Sequence, residues 1–252
     1  MSLLRAERLV CGRGKRALAG PLDLELEPGE VVALFGENGA GKSTLLKTLA
    51  GLLPPVSGEV FLGGAGLRSL KPAERAKRVA VVPARTEFPG EISVFDFVSL
   101  GCIPWQSWAA GLSPADLERV EEALALAEAG KWRERPLGEL SDGERQRVFV
   151  ARALAQSAPV VLLDEPCAFL DPRQRARTLG LLKRVAGERR LAVLFAGHDV
   201  REALAACDRA LLLERPDGEG AADAGPCALR AGRPGDAEFE ARLRAAFGGA
   251  AF

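Results

Sequence analysis

The chain of 252 residues contains no tyrosine, one methionine and a single histidine, so a metal centre built from imidazoles is excluded. Its cysteines, Cys11, Cys102, Cys167, Cys207 and Cys227, are odd in number and widely spaced. No C-x-x-C pair is present for zinc or redox work, and reduced thiols are expected. Apolar runs such as Val31 to Phe35 and Val160 to Leu163 fall far short of the roughly 18 to 20 residues that cross a bilayer. Residues Met1 to Arg8 carry charges where an export signal needs an apolar stretch, and no such signal is expected. Net charge is also missing: 34 basic residues balance 34 acidic ones. Without a global field to grip a polyanion, neither nucleic acid nor an anionic membrane surface is expected as a direct partner.

What remains is enough for one large α/β domain, 48% hydrophobic and 27% charged. Glu30 to Phe35 follows the turn signal Pro28-Gly29 and reads as a buried strand of a mainly parallel sheet. Gly36 to Gly41 comes next, then a helix from Lys42 to Ala50 stopped by Gly51 and Pro54-Pro55. Val79 to Val82 is a further strand. Ser113-Pro114 starts a helix in which Leu117, Val120, Leu124 and Ala127 recur at helical spacing until Gly130. Another helix is expected from Ser141 to about Gln156, and Ala84 to Gln156 reads as a helical insert. The sheet is expected to resume at Pro159 to Leu163, continue at Leu191 to Phe195 and end near Ala210 to Leu213. Pro216 to Gly225, rich in Gly, Asp and Ala, reads as a flexible loop. There is no internal repeat and no long heptad pattern.

The strongest chemical signal is Gly36-Glu37-Asn38-Gly39-Ala40-Gly41-Lys42-Ser43-Thr44, which fits G-x-x-x-x-G-K-[ST] between a strand and a helix. Glycines let the loop wrap closely enough for successive N–H groups to point at one phosphate chain, and the helix N-terminus adds partial positive charge there. Lys42 is placed to reach the β- and γ-phosphates, and Ser43 to give a hydroxyl to Mg²⁺. Val160 to Leu163 then delivers Asp164 and Glu165 at a strand end. In isolation such acids read as a solvated loop; beside a phosphate-binding loop, Asp164 is placed to hold Mg²⁺ through its water shell and Glu165 to act as general base. His198 follows the run Leu191 to Phe195. A lone histidine at a strand end is often structural, but the strand after Asp164 should end beside the γ-phosphate, which makes His198 a candidate sensor of it. Leu140-Ser141-Asp142-Gly143-Glu144 offers Ser141 as N-cap and Gly143 as an uncovered first turn: a second anion-binding helix end, on the insert. One nucleotide cannot use both ends within one chain, whereas two chains packed head to tail could complete each other's sites.

Together these stretches resemble the nucleotide-binding subunit of an ATP-binding cassette (ABC) transporter. Gly36 to Thr44 looks like its Walker A loop, Val160 to Glu165 like its Walker B strand, and Leu140 to Glu144 like its signature. Phe169-Leu170-Asp171 resembles its D-loop, and His198 its switch histidine. The motifs appear in the family's order, and the similarity covers residues 1 to 230. The resemblance implies a P-loop NTPase core of RecA type (1–83 and 157–230) with an N-terminal antiparallel β region, a helical insert (84–156) and a short C-terminal extension (231–252). It implies ATP and Mg²⁺ as cofactors, with catalysis by Glu165, His198 and Lys42 and with Asp171 among the nucleotide-binding residues. It further implies a homodimer closing on two ATP molecules. That dimer would drive a membrane permease, with a substrate-binding protein in the full system, at the cytoplasmic face of the cell membrane.

Three departures stand out. Gly12 occupies the place of the family's adenine-stacking aromatic, Ala84 that of a glutamine touching Mg²⁺ and the attacking water, and Cys167 that of a threonine. Cys167 reads as a small buried substitute. The stretch Ile92 to Trp105 and the Leu-Ser-Asp-Gly-Glu signature resemble the importer ATPases for iron–siderophore, haem and cobalamin. Trp105, Trp108, Phe88 and Phe95 are candidates for an apolar cleft receiving the permease; the alternative is that they fill the insert's own core. An ABC ATPase for another cargo, and a non-transport or regulatory ABC protein, remain competing expectations.

Overall fold

The computed structural model describes residues 1–84, 88–106, 111–168, 170–215 and 226–247. In chain order the elements are β1 (Leu4–Arg13), β2 (Arg16–Leu26), β3 (Val31–Gly36), α1 (Lys42–Leu49), β4 (Ser57–Leu62), β5 (Ala65–Gly66), α2 (Pro72–Ala76), β6 (Val79–Val82), α3 (Val94–Ser99), α4 (Pro114–Leu126), α5 (Asp142–Ala155), β7 (Val160–Asp164), α6 (Pro172–Arg189), β8 (Ala192–Ala196), α7 (Val200–Ala206), β9 (Arg209–Glu214), β10 (Ala228–Gly232) and α8 (Ala237–Phe247). They form a six-stranded sheet, β10-β9-β3-β8-β7-β6, and a four-stranded antiparallel sheet, β2-β1-β4-β5.

The continuous apolar runs have a simple cause: the large sheet is covered on both faces, so both parities of each strand need apolar side chains. Val31, Ala33 and Phe35 of β3 face one core with Val161, Leu163, Val193 and Phe195 and the helices α3 to α8. Val32 and Leu34 face the other with Leu162, Leu194, α1 and the antiparallel sheet. This is the expected α/β fold with its antiparallel layer, and α3, α4 and α5 stand between β6 and β7.

Local chemistry departs from the sequence expectation in the insert. Ser113 caps α4, and its partner in a reciprocal capping box is Asp116, buried at 2% exposure beneath Arg119. Leu117, expected on the apolar face, is 41% exposed, while Val120 and Leu124 are buried as expected. The helix also stops before Gly130. Glu128 takes the left-handed conformation (φ 54°), and Ala129 N–H bonds back to the Leu124 carbonyl at 2.8 Å, as in a Schellman ending.

The sheet does not end near Leu213. β10 adds an antiparallel edge to β9, with Leu229 opposite Leu213, and α8 then returns Phe239 and Leu243 to the main core. The expected loop at 216–225 lies outside the described residues.

Gly12 has a structural reason of its own. The β1–β2 hairpin is pinched by a register shift beside it, and a Cβ there would sit 2.0 Å from the Arg16 carbonyl oxygen and 3.0 Å from Val56 Cγ2. Gly12→Tyr is therefore expected to lower stability by about 2–3 kcal/mol through forced separation of the hairpin. A urea-unfolding midpoint equal to that of the parent chain would refute this.

All five thiols fit the expectation of reduced cysteines: each is free, and none is highly exposed. Burial pushes Cys11 and Cys207 up to about 11 and Cys167 to about 12, where neighbouring Glu202 and Asp199 add to the rise. Cys167 is thus a poor nucleophile, half-buried among apolar neighbours.

Candidate active site

β3 delivers Gly36 to a turn in which Glu37, Asn38 and Gly39 are exposed and Ala40 is buried. Gly41, at φ 102°, opens α1. A side chain there would be strained and would crowd Leu18 Cβ at 3.3 Å. No side chain caps this helix and no acid stands in its first turn, so its leading amides are left for an anionic ligand. Lys42 is only 6% exposed; its Nζ donates to the carbonyls of Gly36 (2.6 Å) and Glu37 (3.2 Å). Burial pulls this ammonium below its ordinary range, and the nearby carboxylates of Glu165 and Asp164 partly restore it. Ser43 is exposed. Thr44 is buried, and its carbonyl accepts the Thr48 hydroxyl at 2.8 Å.

The sheet order explains why the other candidates meet this loop. β8 lies between β3 and β7, with Ala196 level with Leu34 on one side and Asp164 on the other. Asp164, Glu165 and His198 therefore emerge beside Gly36. His198 Nε2 donates to Glu165 Oε1 at 2.6 Å, and Glu165 N–H bonds the Ala196 carbonyl at 3.1 Å. Glu165 is held at φ 53°, a left-handed conformation that costs a residue with a side chain and is concentrated at functional positions. Asp164 is buried, and its Oδ1 has no hydrogen-bond partner.

That orphaned oxygen, with the exposed Ser43 hydroxyl, fits a hard cation. Among the described residues no group of three His, Cys, Asp or Glu side chains forms a complete metal cage. A hydroxyl and one carboxylate suit Mg²⁺, which keeps waters and takes remaining ligands from substrate phosphates.

The insert supplies the second helix end. Ser141 caps α5: its Oγ accepts Glu144 N–H at 3.4 Å, while its own N–H donates to Glu144 Oε2 at 3.0 Å. The side-chain amide of Gln174 from α6 lies over Gly143, 2.8 Å from where a Cβ would stand. Asp171 caps α6, accepting Gln174 N–H at 2.8 Å. Ser141, Gly143 and Gln174 share a polar pocket of about 200 Å³ with Lys131, Trp132 and Arg177. Among the described residues, no hydrogen bond or ion pair joins this group to Lys42, Asp164, Glu165 or His198. Gln174 was not singled out by sequence; the only available signal was the D-x-x-Q capping spacing.

Among the described residues the expected aromatic cleft is not assembled. Phe88 joins Phe97 and Phe149 in a cluster with centroids 5.5–6.3 Å apart and lies under Arg145, and Phe95 is covered by Arg133. Trp105 instead sits between Lys77 and Arg119 and donates to the Gln156 carbonyl at 2.8 Å. Phe149 of the first group stands on α5 itself and Arg152 lies over Phe97, whereas Trp105 meets the helix at its C-cap, Gln156. Trp108 and Phe169 lie outside the described residues. Ala84 is exposed at the end of β6.

Such a cradle, with acids and a histidine at its rim, defines a P-loop nucleotide-binding protein. The ABC transporter family model matches residues 19–168. The chain is 42% identical over 217 residues to a hemin import ATP-binding protein of Pseudomonas fluorescens, covering 84% of this chain and 83% of that one. It is 36% identical over 203 residues to an iron(3+)-hydroxamate import ATP-binding protein of Bacillus subtilis, covering 81% and 76%. Among solved structures it resembles a metal-chelate type ABC transporter in an inward-facing conformation, with TM-score 0.81, 26% identity, and 98% and 89% of the two chains covered. It also resembles a dimeric bacterial ABC transporter cassette, with TM-score 0.71, 25% identity, and 83% and 93% covered. The chain belongs to the ABC transporter family, as one of its ATP-binding, ATP-hydrolysing cassettes. Among the described residues no helix is long and apolar enough to cross a membrane.

Proposed function

We propose that this cassette powers uptake of a metal chelate, an iron–siderophore, haem or cobalamin, through a membrane permease served by a substrate-binding protein. The relatives' import roles and the metal-chelate transporter likeness support that cargo class. The permease holds the cassette at the cytoplasmic face. The exposed apolar side chains Leu100, Ile103 and Trp105 on one edge of the insert are the surface offered to it.

In this reading ATP lies on the loop from Gly36 to Thr44, with Lys42 on its terminal phosphates and Ser43 and Asp164 holding Mg²⁺, which when bound neutralises phosphate charge. His198 fixes Glu165 Oε1, leaving Oε2 to take the proton of the attacking water. The observation that carries the dimer is the separation of the two phosphate-binding helix ends. Ser141 and Gly143 face a pocket of their own, so each ATP is completed by a partner's α5 in a head-to-tail pair.

The test is the mass of Glu165→Gln in Mg-ATP by size exclusion with light scattering. A dimer is expected, and Ser141→Arg in the same background should return it to monomer while it still binds nucleotide. A Glu165→Gln protein that stays monomeric would overturn the proposal.

A further inference from the structure

Two segments beside the proposed hydrolytic pair, 166–168 with Leu170 after β7 and 197–199 after β8, border a cavity of about 230 Å³ walled by Leu179, Phe195 and Ala203. One side chain ties them together. Arg175, in the first turn of α6, donates through Nε to the Leu170 carbonyl at 3.1 Å and through Nη1 to the carboxylate of Asp199. The same Nε lies 3.7 Å from Glu202 Oε2, a buried oxygen with no hydrogen bond. Asp199 follows His198 directly, and its other oxygen caps α7 by accepting Glu202 N–H at 3.4 Å. Arg175 is 25% exposed, so its charge-assisted bonds are partly shielded from water. The planar guanidinium satisfies both segments at once in a fixed geometry, which a lysine's single ammonium does not reproduce.

Among the described residues no hydrogen bond or ion pair joins Arg175 to Glu165, His198 or the phosphate loop, so its influence on hydrolysis passes through the backbone it holds. We propose that Arg175 is a positioning residue. By locking the Leu170 carbonyl to Asp199, it sets where His198 presents Nε2 to Glu165 and makes Leu170 and the histidine segment move as one body. This rests on the reading of Glu165 and His198 as the hydrolytic pair. It adds that the geometry of that pair is governed from α6, the helix whose Gln174 covers Gly143 at the second helix end.

The expected signature is a split between turnover and binding. Arg175→Met should lower kcat for Mg-ATP at least tenfold while the Kd for a fluorescent ATP analogue stays within twofold, because the phosphate loop is untouched. Arg175→Lys should recover little of the lost rate. Asp199→Asn keeps the α7 cap but weakens the same link, so it should also slow turnover, and the double variant should be no slower than Arg175→Met alone. A merely structural role would reduce binding and turnover together through loss of folded protein. Arg175→Met turning over within twofold of the parent, or losses that add in the double variant, would overturn the proposal. If Arg175→Met fails to bind the analogue, Asp199→Asn decides: normal kcat refutes, and slowed kcat with normal Kd supports. Glu165→Gln run alongside separates the levels. If it is inactive while Arg175→Met is fully active, only this proposal falls; if it hydrolyses normally, the hydrolytic pair falls as well.

Discussion

Glu165→Gln should reduce steady-state ATP hydrolysis by about 10²- to 10⁴-fold and leave nucleotide affinity nearly unchanged. The amide is almost isosteric but cannot take a proton from water, and it sits in the same left-handed backbone next to Asp164, whose carboxylate remains. His198→Ala should lose rate for a related reason, since the 2.6 Å bond to Oε1 orients the base. Because the two act as a unit, the double variant should be little worse than Glu165→Gln alone. Radiolabelled phosphate release, paired with equilibrium binding of Mg-ATP, separates these effects. Hydrolysis by Glu165→Gln at a tenth of the parent rate or faster would remove Glu165 from the role of base.

Lys42→Ala should act at the other end of the same reaction, by removing nucleotide binding itself. In the folded chain the ammonium's hydrogen bonds go to two backbone carbonyls, and burial holds it below its ordinary range. It is therefore a charge held for an anion at some cost to the fold, and charge-assisted bonds to phosphate are worth about 1.5–3 kcal/mol each. The variant should bind ATP about a hundredfold more weakly or worse, with turnover undetectable. Its thermal stability without nucleotide should be close to the parent's, while the rise in Tm that ATP gives the parent by mass action should vanish. A Lys42→Ala protein still stabilised by millimolar ATP to the parent's extent would contradict the assignment.

Much of this site was legible in the sequence because its contacts are local. Lys42 bonds carbonyls five and six positions away, and Asp164 and Glu165 are adjacent at the end of one apolar run. What remained hidden depends on residues far apart in sequence. Gly12 read as the loss of an aromatic, whereas the crowding that demands glycine comes from the opposite strand and from Val56. Periodicity placed Leu117 inside α4, but a capping carboxylate with its own arginine took the buried position, which apolar spacing does not register. β10 was missed because Leu229 is its one side chain packed against a core and the strand lies beyond residues 216–225. Of the aromatics expected in one cleft, Phe88 lies under Arg145 near the start of α5 and Trp105 bonds Gln156 just beyond its end, a consequence of tertiary arrangement alone. Gln174 over Gly143 and Arg175 on Asp199 likewise join separate elements, spanning 31 and 24 positions.

The absence of tyrosine gives the wall around Ser141 an optical use. Near-ultraviolet emission from this chain arises from its three tryptophans, without a phenolic background. Trp132 is 5% exposed, lines the pocket shared by Ser141 and Gly143, and carries the Lys131 ammonium 4.6 Å from its ring. A triphosphate and a second chain arriving at that pocket would alter the field on this indole directly. Trp105, at the far end of α5, serves as an internal reference, so closure of the pair can be followed in real time without attaching a dye.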